Sequence, residues 1–126
     1  KTRGGKLRYT YDDAVSYQCE SLLLIGVGTA MKNSDYDIIA GKISTGKSIV
    51  TVFTDHSRTP IKLSDKKYAK LYTSIVDNLD DLIPVCKGKA PKIIIGGHSA
   101  SGSAAIKSVS RVERKPDGFI GLNPFD

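Results

Sequence analysis

Long apolar runs are missing from this sequence. The longest, Leu22 to Ile25 with its glycine-rich continuation, falls far short of the roughly 18 residues that a membrane-crossing helix needs, so no transmembrane segment is expected. The opening Lys1-Thr2-Arg3-Gly4-Gly5-Lys6 runs into alternation rather than an apolar block. It does not read as a secretory leader, and it leaves targeting open. Cysteine is scarce: Cys19 and Cys86 fit no zinc or Cys-X-X-Cys spacing, so no metal is expected, and they read as two free thiols rather than a disulfide. Histidine is equally scarce, with His56 and His98 the two in the chain. Internal repeats, low-complexity tracts and linkers are absent, as is any nucleic-acid-binding motif, so no nucleic-acid partner is expected.

What is present is one domain's worth of chain. At 126 residues, 40% apolar and 25% charged, residues 1–126 read as a single domain able to bury one core, which argues against disorder. The net charge of +6 is spread along the chain among acids. It reads as a solvated basic surface, with an anionic partner as the alternative.

Apolar patterning predicts an alternation of strands and helices. Lys6 to Tyr11 and Ala14 to Cys19 suggest an N-terminal hairpin with Asp12-Asp13 in its turn. Ser21 to Ile25 is continuously apolar, as in a strand buried on both faces. Ser34 is placed to cap a short helix whose inner stripe is Tyr36, Ile39, Ala40 and Ile43. Ser48 to Thr54 is rich in β-branched residues and predicts the next strand, and Asp55 to Pro60 a loop. Ser64 would cap a helix carrying Tyr68, Leu71, Tyr72, Ile75, Leu79, Leu82 and Ile83 on one stripe, closed near Pro84. Lys92 to Ile95 is a strand, Ala100 to about Val112 a helix of small residues, and Phe119 to Leu122 a last strand. The fold class expected is therefore α/β, a mostly parallel sheet with helices on both faces. Such sheets place ligands beyond the carboxyl ends of their strands.

Two strings bear on chemistry. Gly41-Lys42-Ile43-Ser44-Thr45-Gly46-Lys47-Ser48 matches the phosphate-loop pattern Gly-X4-Gly-Lys-Ser letter for letter. That loop needs a strand leading in and a helix leading out, so that backbone N–H groups surround the phosphates. Here a helical pattern precedes and a β-rich one follows, so the glycines are expected to stop a helix and turn into a strand. Nucleotide binding through Gly46, Lys47 and Ser48 is the minor alternative.

The second string, Gly96-Gly97-His98-Ser99-Ala100-Ser101-Gly102, stands between an apolar strand and a small-residue helix. A nucleophile elbow belongs there, because its strained turn demands minimal side chains two positions before and after the serine. Gly97 and Ser101 occupy those positions. Ser99 would then be the nucleophile, with the backbone N–H of Ala100 and of Thr29, in the loop after the Ser21–Ile25 strand, as oxyanion donors. His98 is expected to point away from the Ser99 hydroxyl, and His56 to lie at the end of the preceding strand.

These residues resemble the Gly-His-Ser-X-Gly-Gly elbow of lipases and esterases in the α/β-hydrolase superfamily. Leu22 to Thr29 followed by Asn33-Ser34-Asp35-Tyr36, and Ile120-Gly121-Leu122-Asn123-Pro124-Phe125-Asp126, are similar to segments of chlorophyllase-like hydrolases, with dienelactone-hydrolase-like and cutinase-like esterases nearby. The resemblance covers about 105 residues, from roughly Glu20 onward. It implies carboxylic ester hydrolysis through an acyl-enzyme, no cofactor, and a small hydrophobic ester as substrate. It also implies an acidic residue orienting a histidine, at a position held here by Asn123, with Asp126 three residues on. The chain departs from the pattern at Val27, where such enzymes often carry histidine, and at Asn123, where they carry aspartate.

In this fold the triad runs serine, acid, histidine, and no histidine follows Ser99. The sequence thus reads either as an α/β-hydrolase core lacking its C-terminal part, or as a catalytically inactive hydrolase-like subunit. The inactive subunit would bind a protein partner or a hydrophobic ligand in a larger assembly. A plastid pigment-protein setting is suggested by the resemblance alone; otherwise the compartment stays unassigned.

Overall fold

The computed structural model describes residues 1–4, 7–14, 19–28, 31–54 and 64–124, the last two by backbone alone. Six strands form one sheet in the order β1-β2-β4-β3-β5-β6. They are β1 (Thr2–Arg3), β2 (Tyr9–Thr10), β3 (Ser21–Gly26), β4 (Ile49–Phe53), β5 (Lys92–Ser99) and β6 (Gly118–Pro124). β1 and β2 pair antiparallel and β2 joins β4 antiparallel, while β4, β3, β5 and β6 run parallel. The chain therefore has the α/β architecture that its patterning predicts.

Each central strand faces two cores, which is why these segments carry no alternation of apolar and polar residues. Leu22 and Leu24 of β3, Val50 and Val52 of β4 and Ile93 and Ile95 of β5 point to one face, where Tyr68, Tyr72, Ile75 and Ala105 cover them. Leu23, Ile25 and Phe53 point to the other, under Tyr36 and Ala40. The first face holds α2 (Asp65–Asp77), α3 (Leu79–Leu82) and α4 (Ala100–Ser108), and the second holds α1 (Asp37–Ser44).

Chain direction explains that division. The β3-to-β4 step moves one way along the sheet and the steps to β5 and β6 move the other. Right-handed crossovers then put α1 on one face and α2 and α4 on the opposite one. The helices that follow β3 and β5 thus diverge to opposite faces, which opens a crevice between the carboxyl ends of those two neighbouring strands.

Several local expectations change. The partner of β2 in the hairpin is Thr2–Arg3, not the segment after Asp12-Asp13, whose residues 15–18 lie outside the described set. The Asp12 carboxylate instead accepts the N–H of Ala14 at 2.9 Å and of Gly46 at 2.7 Å. These bonds hold it below the usual carboxylate range. Ser34 does not cap α1. It lies inside a 3-10 turn, Asn33–Tyr36, where the Asp35 carboxylate accepts the N–H of Lys32 at 2.9 Å. That turn rotates the stripe, so Ile39 is exposed while Tyr36, Ala40 and Ser44 are buried. Arg8 clamps the start of α1 with two bonds to Asp37.

Ser64 does cap α2, its hydroxyl accepting the N–H of Lys67 at 3.1 Å, as its position predicts. The helix breaks at Asn78, so the expected single stripe is carried by two helices, α2 and α3. The largest correction concerns the cysteines: Cys19 and Cys86 form a disulfide, their Cα atoms 5.4 Å apart. Spacing rules for metal and redox motifs apply within short segments, whereas this pair is separated by 67 positions and meets only through the fold. Among the described residues no helix is long and apolar enough to cross a membrane.

Candidate functional site

The phosphate-loop string is a helix-to-strand turn. Residues Gly41 to Ser44 finish α1, Gly46 takes φ +72°, and β4 starts at Ile49. The amides that would cradle a phosphate are already bonded: Thr45 N–H to the Gly41 carbonyl, Gly46 N–H to Asp12, and Lys47 N–H to the Ser44 carbonyl. The order of elements and the occupied donors both run against the phosphate-binding use of this pattern.

The turn between β5 and α4 is different. β5 runs straight into α4 with Ser99 as the joint, at φ 60° and ψ −129°. Only glycine visits this region freely, and a side chain held there costs on the order of 1–3 kcal/mol. Serine at a helix N-cap ordinarily accepts a backbone N–H from the first turn. Ser99 makes no such bond, and the residue is half-buried at the carboxyl end of β5. Gly97 cannot be replaced: a Cβ there would lie 2.3 Å from the Ser101 carbonyl carbon and 2.5 Å from the Gly102 nitrogen. The chain doubles back so tightly that its own backbone fills the space.

The loop leaving β3 is fixed at Val27 and Gly28. Val27 donates its N–H to the Thr54 hydroxyl at 3.1 Å, and its carbonyl accepts the hydroxyl of Ser101. Gly28 donates its N–H to the Tyr36 hydroxyl at 2.7 Å, and its carbonyl accepts the N–H of Met31 at 3.0 Å. The Tyr36 oxygen also lies 2.7 Å from His98 Nδ1. Its ring stacks on Phe53, centroids 4.6 Å apart, and burial raises its pKa, keeping the phenol neutral. Below the turn, the fully buried Tyr68 hydroxyl accepts the N–H of Gly96 at 2.9 Å and donates to the Leu24 carbonyl. It bridges β3 and β5 near their carboxyl ends.

Of the residues singled out by sequence, Ser99 and Ala100 stand at this crevice, Ala100 as the first residue of α4. The first N–H groups of a helix have no partner within it. The backbone of Asn123 lies beside them: His98 pairs with Leu122 and Ser99 with Pro124, leaving position 123 as the extra residue at the irregularity. Thr29, Asp55, His56 and Asp126 lie outside the described residues. His98 is directed to Tyr36. A groove of about 600 Å³ opens beside Ser99 between α4 and β6, lined by Gly97, Ala100, Ile106, Phe119 and Gly121. Ile106 and Phe119 are 63% and 56% exposed, so its wall is apolar. Among the described residues no cluster of three or more histidine, cysteine or acidic side chains could hold a metal ion.

Tyr36, Thr54 and the hydroxyl of Ser101 were not legible as parts of this site. Tyr36 carried the signature of a helix stripe, Thr54 of a strand end, and Ser101 of a tolerated small residue. Compared with known proteins, the chain matches no family model and no curated sequence.

Proposed function

We propose that this chain forms an α/β-hydrolase core of the chlorophyllase-like or dienelactone-hydrolase-like kind, and that it cleaves carboxylic esters through Ser99. The observation that carries the reading is the strained conformation of Ser99 between a buried parallel strand and a helix, with Gly97 packed against the backbone two residues beyond it. A serine is kept in such a conformation, at a cost in stability, when its hydroxyl must stand over the sheet. The position of the loop after β3 also suits the reading, since a nucleophile elbow draws one oxyanion donor from there.

In this mechanism Ser99 Oγ attacks the ester carbonyl and its proton passes to a histidine base. The negative charge on the carbonyl oxygen is met by the N–H groups of Ala100 and Thr29. Collapse expels the alcohol, protonated by the same base, and leaves an acyl-serine. Water then attacks, giving up a proton to the base, and releases the acid with Ser99 restored. The apolar groove beside Ser99 suits a hydrophobic acyl or alcohol portion. Asn123 or Asp126 would stand at the acid position.

A second reading is favoured by one observation: His98, the residue before Ser99, is bonded to the Tyr36 hydroxyl. The same framework would then bind a hydrophobic ligand or a protein partner without turnover. Labelling the whole polypeptide with a fluorophosphonate, alongside hydrolysis of p-nitrophenyl esters, separates the two. Label on wild type, lost in Ser99→Ala, together with ester turnover supports the hydrolase. A whole polypeptide that neither labels nor turns over ester refutes it in favour of the binding subunit.

A further inference from the structure

We propose that Ser101 is a positioning residue that holds the anion-stabilising loop in register with the nucleophile, with Tyr36 as its counterpart on the other side. The inference rests on Ser99 being the nucleophile. An oxyanion donor is useful only when it already sits about 3 Å from where the charge will develop, and a loop leaving a strand has no intrinsic reason to stay there. In this chain the loop after β3 is tied to the nucleophile segment from both directions. Ser101, two residues after Ser99 and fully buried, donates its hydroxyl to the Val27 carbonyl. His98, one residue before Ser99, meets the Tyr36 hydroxyl that accepts the Gly28 N–H. Thr54, the residue after β4, holds the Val27 N–H and fixes the loop to the sheet, but not to the turn.

The departure from glycine at position 101 thus has a structural use. Glycine at this place would satisfy the sterics of the turn and leave the Val27 carbonyl without this bond. Serine keeps the small size and adds a tether between the oxyanion loop and the helix that starts at the nucleophile. Because the tether sets where a donor stands and touches no substrate, its loss acts on the transition state more than on ground-state binding.

The test compares Ser101→Gly and Ser101→Ala with wild type in the full-length protein. It reads kcat and KM for a p-nitrophenyl ester, inhibition by a trifluoromethyl ketone that forms the tetrahedral adduct, and the rate of fluorophosphonate labelling. The expected result is a fall of about tenfold or more in kcat and in ketone affinity together, with KM within about twofold, since displacements near 1 Å can cost up to ~100-fold in rate. Ser101→Thr, which keeps the hydroxyl, is expected to restore most of the loss. Should the Ser101 variants fail to fold, Tyr36→Phe carries the same expectation. Variants that fold and retain wild-type kcat and ketone affinity overturn the tether while leaving Ser99 as nucleophile. A wild-type protein that takes up no label overturns both.

Discussion

Replacing Ser99 by glycine and by alanine tests the conformation of the turn without any assumption about chemistry. Position 99 is the N-cap of α4, and at a relaxed N-cap glycine already exceeds alanine by roughly 0.5–1 kcal/mol. At φ 60° and ψ −129° that gap should widen. Alanine keeps the Cβ and with it a strain of about 1–3 kcal/mol, whereas glycine carries none of that and loses only the unfolded-state contribution of about 0.4–1 kcal/mol. Added to the N-cap preference, the strain leaves Ser99→Gly more stable than Ser99→Ala by about 2 kcal/mol, equivalent to roughly 8 °C in Tm for a chain of this size. Paired urea and thermal unfolding curves measure it, and fluorophosphonate labelling should be lost in both variants. A glycine advantage of about 1 kcal/mol or less would mean that position 99 has relaxed backbone geometry, and the case for a strained nucleophile would go with it.

Opening the Cys19–Cys86 bridge, which spans 67 positions, should cost about 4 kcal/mol through the freedom returned to the unfolded chain. Urea unfolding of the double alanine variant against oxidised wild type measures this, and free thiols in denatured, unreduced protein would refute the bridge. Gly97→Ala, whose Cβ would meet backbone at 2.3 Å, should lose several kcal/mol or fail to fold, typical of backbone incompatibility. Gly41→Ala, with nothing within 4 Å of its Cβ and a place inside α1, should gain roughly 0.5–1 kcal/mol; equal effects at the two glycines in unfolding experiments would contradict the packing described. Asp12, depressed by the Gly46 and Ala14 amides, contributes stability that is complete above the unfolded carboxylate pKa of about 3.9. That contribution is lost as pH falls through the lower folded value. Asp12→Asn should therefore weaken the acid dependence of the urea midpoint, and an unchanged slope below about pH 4 would exclude this role.

How much of this was legible in the sequence follows from how far each interaction reaches along the chain. Strands β3, β4 and β5 announce themselves because burial on both faces is written into every consecutive residue. The cap of α2 was visible because Ser64 and Lys67 are neighbours on one turn. The tight joint at Ser99 was visible for the same reason: strand, small residues and helix are contiguous. The partner of β2, the break at Asn78 and the exposure of Ile39 depend on competing local geometries that periodicity ranks poorly. Contacts between distant residues left no trace at all. Ser101 and Val27 are 74 positions apart, Tyr36 and His98 are 62 apart, and the two cysteines 67 apart. Each looks ordinary in its own segment and becomes informative only when the sheet brings the carboxyl ends of β3 and β5 side by side.

The two small-residue positions flanking Ser99 also prove unequal, which a symmetric pattern conceals. On the near side, Gly97 faces backbone at 2.3–2.5 Å, so no other residue fits without moving the turn. On the far side, Ser101 is the backbone that Gly97 faces, and its own side chain points toward the Val27 carbonyl. A residue there must be small enough for a buried site, yet a hydroxyl is accommodated because an acceptor stands within reach, and a buried hydroxyl without one would cost about 1–3 kcal/mol. The same acceptor accounts for the choice of serine over alanine, which would fit the volume and leave the carbonyl without this donor. The sterics of the turn therefore demand glycine on one side only. On the other side they leave room for a residue that joins the turn to the loop across the crevice.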